Sequence, residues 1–202
     1  MLTYIIRQFG KPTGPAGALA GFIMATRSSN RKRNEWGVSL LDVKSGARVL
    51  EIGCGPGLAL DAICRSTSAA CVVGVDHSAL MVANARKRVE RHIESGRADV
   101  LEADAAHLPF PKMDFDRILT VNAYAFWRTI PGAIEGVLAL LKPGGRLVIV
   151  HQPRGRDITD QACRRFASTA TDTLSAAGFA NVRTAFLPLS PIVAGIIAER
   201  PA

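Results

Sequence analysis

Val49-Leu50-Glu51-Ile52-Gly53-Cys54-Gly55-Pro56-Gly57 decides the fold of this chain. An apolar, β-prone run carries one acid, glycine then recurs at every second position, and an apolar run, Leu58 to Arg65, follows. That order is a strand delivered through a tight loop onto the N-terminus of a helix. Gly53, Gly55 and Gly57 let the backbone approach a ligand and adopt φ values that a Cβ would forbid. A lone glycine-rich turn of this kind also occurs without a ligand, so its meaning depends on what stands beside it.

Working outward, short β-prone runs alternate with helical ones. Strands are predicted at Arg48–Ile52, Cys71–Val75, Ala98–Glu102, Phe115–Val121 and Arg146–His151. Helices are predicted at Leu58–Arg65, from an N-cap at Ser78 through Met81, Val82, Ala85, Val89 and Ile93, at Pro131–Leu141, and at Ile158–Ala177 before Gly178. Lys142-Pro143-Gly144-Gly145 reads as a stop, and Val182–Leu187 and Ile192–Glu199 as two adjacent strands. The expected fold class is α/β: a doubly wound seven-stranded sheet, mostly parallel, with an antiparallel C-terminal edge hairpin and helices on both faces. Residues 1–45 read as a helical N-terminal cap and residues 46–202 as the core of a single domain, 1–202. Leu19, Phe22 and Ile23 mark one apolar face of the cap, and Trp36, Leu40 and Leu41 another.

The chain has 202 residues, 48% hydrophobic and 21% charged, an ordinary globular composition. Cys54, Cys64, Cys71 and Cys163 form no CxxC pair, and His77, His92, His107 and His151 are scattered, so no metal site is expected. The mildly apolar run Thr13–Thr26 contains Pro15 and three glycines and is too short to span a bilayer. Its basic run, Arg27 to Arg33, comes after the apolar stretch, the reverse of a signal peptide, so a cytoplasmic protein with reduced thiols is expected. The net charge of +8 allows an anionic partner, nucleic acid included, and equally an arginine-rich solvated surface.

In open α/β sheets ligands sit beyond the carboxyl ends of the strands. There the sequence sets Glu51 with the glycines, then Asp76, Asp104 and Asn122, after four successive strands. The glycines do not match a dinucleotide GxGxxG, because position 58 is Leu, and Glu51 would repel a pyrophosphate. An acid beside the loop suits a cationic group, Asp76 a ribose diol, and Asp104 an adenine amine. The ligand so described is an adenosine with a positively charged tail and no phosphates.

At these residues the chain resembles the class I S-adenosylmethionine-dependent methyltransferases, above all small bacterial ones of the ubiquinone/menaquinone-biosynthesis type. The resemblance is carried by Val49–Gly57, Val73-Gly74-Val75-Asp76-His77-Ser78, Ala103-Asp104-Ala105, Leu108-Pro109-Phe110, Phe115-Asp116, Leu141–Leu147 and Ala177-Gly178-Phe179, and covers about residues 40–200. It implies a Rossmann-like core with S-adenosylmethionine as cofactor and S-adenosylhomocysteine as product. It implies that Glu51, with the loop Gly53, Cys54, Gly55 and Gly57, holds the methionine moiety. Asp76 would take the ribose hydroxyls, His77 would lie along the adenine, Asp104 and the Ala105 N–H would meet the base, and Asn122 would line the methionine end.

Methyl transfer from a sulfonium mainly needs an aligned nucleophile and exclusion of water. Tyr124 and His151 are the candidate catalytic residues, with Trp127 as a second aromatic wall and His151 as a possible base. The N-terminal section is expected to lid the site, with Tyr4, Phe9 and Trp36 as contacts. The favoured acceptor is a small molecule. An RNA methyltransferase is the alternative, resting on Arg27/Arg31/Lys32/Arg33, Arg86/Lys87/Arg88/Arg91 and Arg154/Arg156/Arg164/Arg165. Asn122-Ala123-Tyr124-Ala125 lacks the Asn-Pro-Pro-Tyr pattern of amino-group methyltransferases. A non-catalytic cofactor-binding subunit and a homodimer stay open.

Overall fold

The computed structural model describes residues 28–154 and 158–202. Helix α1 (Ser28–Leu41) leads to β1 (Arg48–Ile52), α2 (Leu58–Ser66), β2 (Cys71–Asp76), α3 (Ala79–Arg88), α4 (Glu90–Glu94), β3 (Ala98–Glu102) and β4 (Phe115–Val121). Then come α5 (Tyr124–Trp127), α6 (Ala133–Leu140), β5 (Leu141–His151), α7 (Asp160–Ala176), β6 (Ala180–Leu187) and β7 (Val193–Glu199). The strands form one seven-stranded sheet in the order β3-β2-β1-β4-β5-β7-β6. Neighbours from β3 to β5 are parallel, and β7 is antiparallel to both β5 and β6. The doubly wound, mostly parallel sheet with its C-terminal hairpin is the one the sequence predicts.

Alternation along the buried strands divides the core between the two faces. Leu50 and Ile52 pack with Val137 and Leu140 of α6 and Ala167 and Leu174 of α7. Val49 and Val72 pack with Leu41 of α1, Leu60 and Ile63 of α2, and Ala85 of α3. Register brings the carboxyl ends level: Ile52 pairs with Val75, Asp76 with Glu102, and Val121 with Val150. Strand order switches direction at β1 and β4, so the loops after these strands open a crevice there.

Three details differ from the sequence reading. The helix expected through Ile93 breaks at Val89, which leaves helical geometry at φ −104° and ψ 19°. Lys142–Gly145 stops α6 but belongs to a long β5, with a register shift opposite Phe115 and Arg117 and hydrogen bonds from Gly144 N–H to Arg200 O and from Arg200 N–H to Gly145 O. Third, α1, the described part of the section expected to lid the site, packs on the sheet as a layer, while the rest of that section lies outside the described residues. Gly37 lets it lie against Val150, and Trp36 and Leu40 sit over Gly195, where a Cβ would come within 2.8 Å of the indole. Tyr4, Phe9, Leu19, Phe22, Ile23, Arg27 and Arg156 lie outside the described residues.

No helix of the described residues is long and apolar enough to cross a membrane.

Candidate functional site

The loop after β1 is built by its glycines and tied to β2. The N–H groups of Gly53 and Cys54 both donate to Val75 O, at 2.8 and 3.0 Å. Gly53, Gly55 and Gly57 have φ of 72°, 51° and 79°, the left-handed region. The three glycines are demanded for different reasons. A Cβ on Gly53 would collide with Ala123, and one on Gly57 would press within about 3.0 Å of Ala85 backbone in α3. A Cβ on Gly55 would meet nothing within 4 Å. At Gly55 the loop leaves open the space that a ligand can take.

Glu51 is only 2% exposed. Its carboxyl receives the N–H of Leu60 in the first turn of α2, yet Oε2 has no hydrogen-bond partner. Burial first, and the nearby negative charge of Asp76 second, push its pKa well above the usual carboxylate value. Among the described residues no cation stands beside it, and a buried acid with one oxygen unanswered fits a cationic ligand group. Burial also holds the Cys54 thiol well above its usual pKa, with the negative charges of Glu51 and Asp76 adding to it, so this residue serves as packing in the loop.

Asp76 is buried and already engaged. Its Oδ2 accepts from Gly55 N–H at 2.9 Å and its Oδ1 from Ser78 N–H at 3.0 Å. Each carboxylate oxygen keeps a further lone pair for a ligand hydroxyl. The Asp76 carboxylate thereby caps the turn into α3, while Ser78 holds the N-cap position without a capping side chain. The sequence reading missed this dual use, which the Asp-x-Ser spacing before a helix could have signalled. His77 is exposed, with Nδ1 3.7 Å from Asp76 Oδ1. Asp104 is exposed, and its Oδ1 accepts from Ala106 N–H at 2.9 Å, leaving the other oxygen outward; Ala105 is half-buried beside it.

Asn122 stands at φ 56°, a left-handed conformation that Asn tolerates better than most residues. Its Oδ1 accepts from Gln152 N–H at 2.8 Å, joining the ends of β4 and β5, and its buried Nδ2 has no partner. Tyr124 and Trp127 are 2% and 3% exposed and meet edge to face, with ring centroids 5.0 Å apart; Tyr124 meets Phe166 in the same way. They form the core under the β4 loop. Phe126, between them, is 58% exposed. His151 stacks on Phe166 at 3.7 Å, and burial, with the positive charges of Arg33 and Arg154, lowers its pKa to about 4. It is therefore neutral at pH 7.

Several arginines, some of them in the basic clusters, are engaged by the protein's own groups. Arg86 donates to Val100 O, Arg88 to Pro56 O, Arg97 to Cys64 O and Arg200 to three carbonyls at the end of α6. Arg31 pairs with Glu35, and Arg164 lies over the Phe186 ring. Arg33, counted with the surface cluster in the sequence, is only 4% exposed. Among the described residues no group of His, Cys, Asp and Glu could hold a metal ion.

Residues 49–145 match the family described as "Methyltransferase domain". The chain is 28% identical over 173 residues to an uncharacterized methyltransferase, YdaC, of Bacillus subtilis (strain 168), covering 86% of this chain and 92% of that one. It is 36% identical over 110 residues to a demethylmenaquinone methyltransferase of Tropheryma whipplei (strain Twist), covering 54% of this chain and 44% of that one. The chain thus spans less than half the length of that second relative. In fold it matches a SAM-dependent methyltransferase from Aquifex aeolicus with a TM-score of 0.65, 18% identity, and coverage of 83% and 89% of the two chains.

Proposed function

We propose that this chain, whose residues 49–145 match the methyltransferase domain family, is a class I S-adenosylmethionine-dependent methyltransferase that transfers a methyl group to a small-molecule acceptor in the cytoplasm. The observation that carries this reading is Glu51: a fully buried acid, its second oxygen unanswered, beside open space at Gly55.

Glu51 and the Gly53–Gly57 loop hold the aminoacyl end of the cofactor. A cation against the Glu51 carboxylate restores the charged state that burial disfavours. The Asp76 carboxylate, fixed by Gly55 and Ser78 N–H, accepts from the ribose hydroxyls with its remaining lone pairs. His77 flanks the base, and Asp104 with the Ala105 N–H meets its edge. Asn122 lines the end from which the methyl group leaves, steadied by Gln152. The cofactor supplies a methyl group already activated on a sulfonium sulfur. The protein's part is alignment and exclusion of water, a contribution on the order of 7–11 kcal/mol. His151, held neutral, accepts a proton only from an acceptor that is already acidic. Tyr124, buried against Trp127, acts only by supporting the β4 loop above it.

A small acceptor is favoured over RNA because Arg86 and Arg88 of the basic clusters are bonded to the protein's own carbonyls and Arg33 is buried. Calorimetric titration of S-adenosylmethionine into the protein tests the reading. Saturable one-to-one binding that weakens about a hundredfold in Glu51→Gln is expected, and absence of binding to the intact protein overturns it.

A further inference from the structure

Arg33 of α1 lies under the end of β5 with its guanidinium almost wholly buried. Its Nη1 donates to Gln152 Oε1 at 2.7 Å and its Nη2 to Asn30 Oδ1 at 2.8 Å, while Nε has no partner. Both acceptors are neutral amides. Among the described residues no carboxylate pairs with Arg33, and its nearest charged influence is the like charge of Arg154. Arg154 donates to the same Asn30 oxygen at 3.0 Å. Two guanidiniums thus meet on one carbonyl, with His151 adjacent in the same positive field.

Amides satisfy hydrogen bonds but do not neutralise a buried charge, and an uncompensated buried cation is expensive. A fold pays this cost readily where a ligand later supplies the counter-charge. The position is informative, because Gln152 serves both ends of the crevice. Its backbone N–H holds Asn122, at the methyl end of the cofactor site, and its side chain holds Arg33. The guanidinium is therefore linked through Gln152 to Asn122, at the ends of β5 and β4.

We propose that Arg33, with Arg154, docks an oxyanion of the methyl acceptor, so that the substrate class is an anionic small molecule. A carboxylate matches the guanidinium fork in two parallel hydrogen bonds, and a phosphate offers the same oxygens. Arg33 acts here as a binding and positioning residue. The proposal rests on the methyltransferase reading of the crevice, and it is tested in a way that separates the two.

The protein is first saturated with S-adenosylhomocysteine in a calorimeter; failure at this step is failure of the cofactor reading, not of the anion site. Benzoate, inorganic phosphate and neutral benzamide are then titrated separately. Benzoate or phosphate is expected to bind, whichever does naming the oxyanion, and benzamide is expected not to. Losing the charged hydrogen bonds in Arg33→Gln should weaken anion binding about tenfold or more while the S-adenosylhomocysteine affinity changes by less than about twofold. If Arg33→Gln does not fold, Arg154→Gln, altered at an exposed side chain, decides the matter, with about threefold weaker anion binding expected. No anion binding, benzamide binding as tightly as benzoate, or unchanged anion affinity in the folded arginine variant would overturn the proposal.

Discussion

The two halves of the crevice carry opposite charge. Across the ends of β1, β2 and β3 stand Glu51, Asp76 and Asp104; across β5 and α1 stand Arg33, Arg154 and His151. Among the described residues both halves bury an ionisable group without a counter-ion, but the groups respond in opposite directions. Glu51 is pushed up toward its neutral acid, and Arg33 is pushed down, to about 9. Desolvation is the largest cause in both. Among the described residues each half is incomplete in charge, one lacking a cation and the other an anion, and in the functional reading proposed above the pair serves two ligands that meet at Asn122.

The comparison is broken most directly at Glu51. Glu51→Gln should weaken S-adenosylmethionine binding about a hundredfold, on the order of 3 kcal/mol, since a buried charge loses its partner. The melting temperature of the cofactor-free protein should hold or rise, because an unpaired buried acid has been removed. Calorimetry and a thermal melt check both, and a dissociation constant within a few-fold of the parent's would remove the acidic half from the comparison. The same carboxyl ties affinity to pH. Its raised pKa falls when a cation arrives, so binding should release protons, with affinity weakening as the pH drops. Heats measured in buffers of different ionisation enthalpy report that release.

Gly55→Val should cost about tenfold or more in cofactor affinity, because the side chain enters open space, and about 1–2 kcal/mol of stability, because φ is 51° there. An unchanged affinity would show that the ligand does not approach this loop. Asp76→Asn sharpens the picture of a dual role. It keeps one acceptor oxygen and turns the other toward donation, so the Gly55 or Ser78 bond is lost, at a cost of about 1–3 kcal/mol visible in urea unfolding, together with weaker cofactor binding.

The smallest effect is expected in the basic half. His151 has a folded pKa of about 4 against 6.5 unfolded, so the unfolded chain binds the extra proton first. Stability from this group is complete above pH 6.5 and is lost as the pH falls from there toward 4. Because His151 is partly exposed, about 1–2 kcal/mol is expected across that window. His151→Gln should flatten this part of the curve, with Arg33 and Arg154 the charged groups that face the ring. Equal slopes in urea midpoints between pH 4.5 and pH 7 for both proteins would deny the cationic field around it.

Most of the acidic half was legible in the chain itself. Glu51, Asp76, Asp104 and Asn122 each stand at or just past the end of a short β-prone run, and parallel strands bring their carboxyl ends together whatever the side chains do. The strand limits followed from period and from glycine and proline punctuation, so Arg48–Ile52, Ala98–Glu102 and Phe115–Val121 are the same in sequence and structure. The break at Val89 was hidden because Val89 and Ile93 continue the helical spacing of Met81, Val82 and Ala85.

The sequence by itself determined the alternation of strand and helix, the glycine loop, and the row of acids, because these are properties of neighbours in the chain. Tertiary structure alone decided which arginine is buried. Arg33 looks like any member of the run Arg31-Lys32-Arg33 until α1 settles on the sheet beside Gln152, a partner 119 positions away. Charge is written in the sequence, but its solvation depends on what packs over it, and solvation is what turns a charge into a binding group.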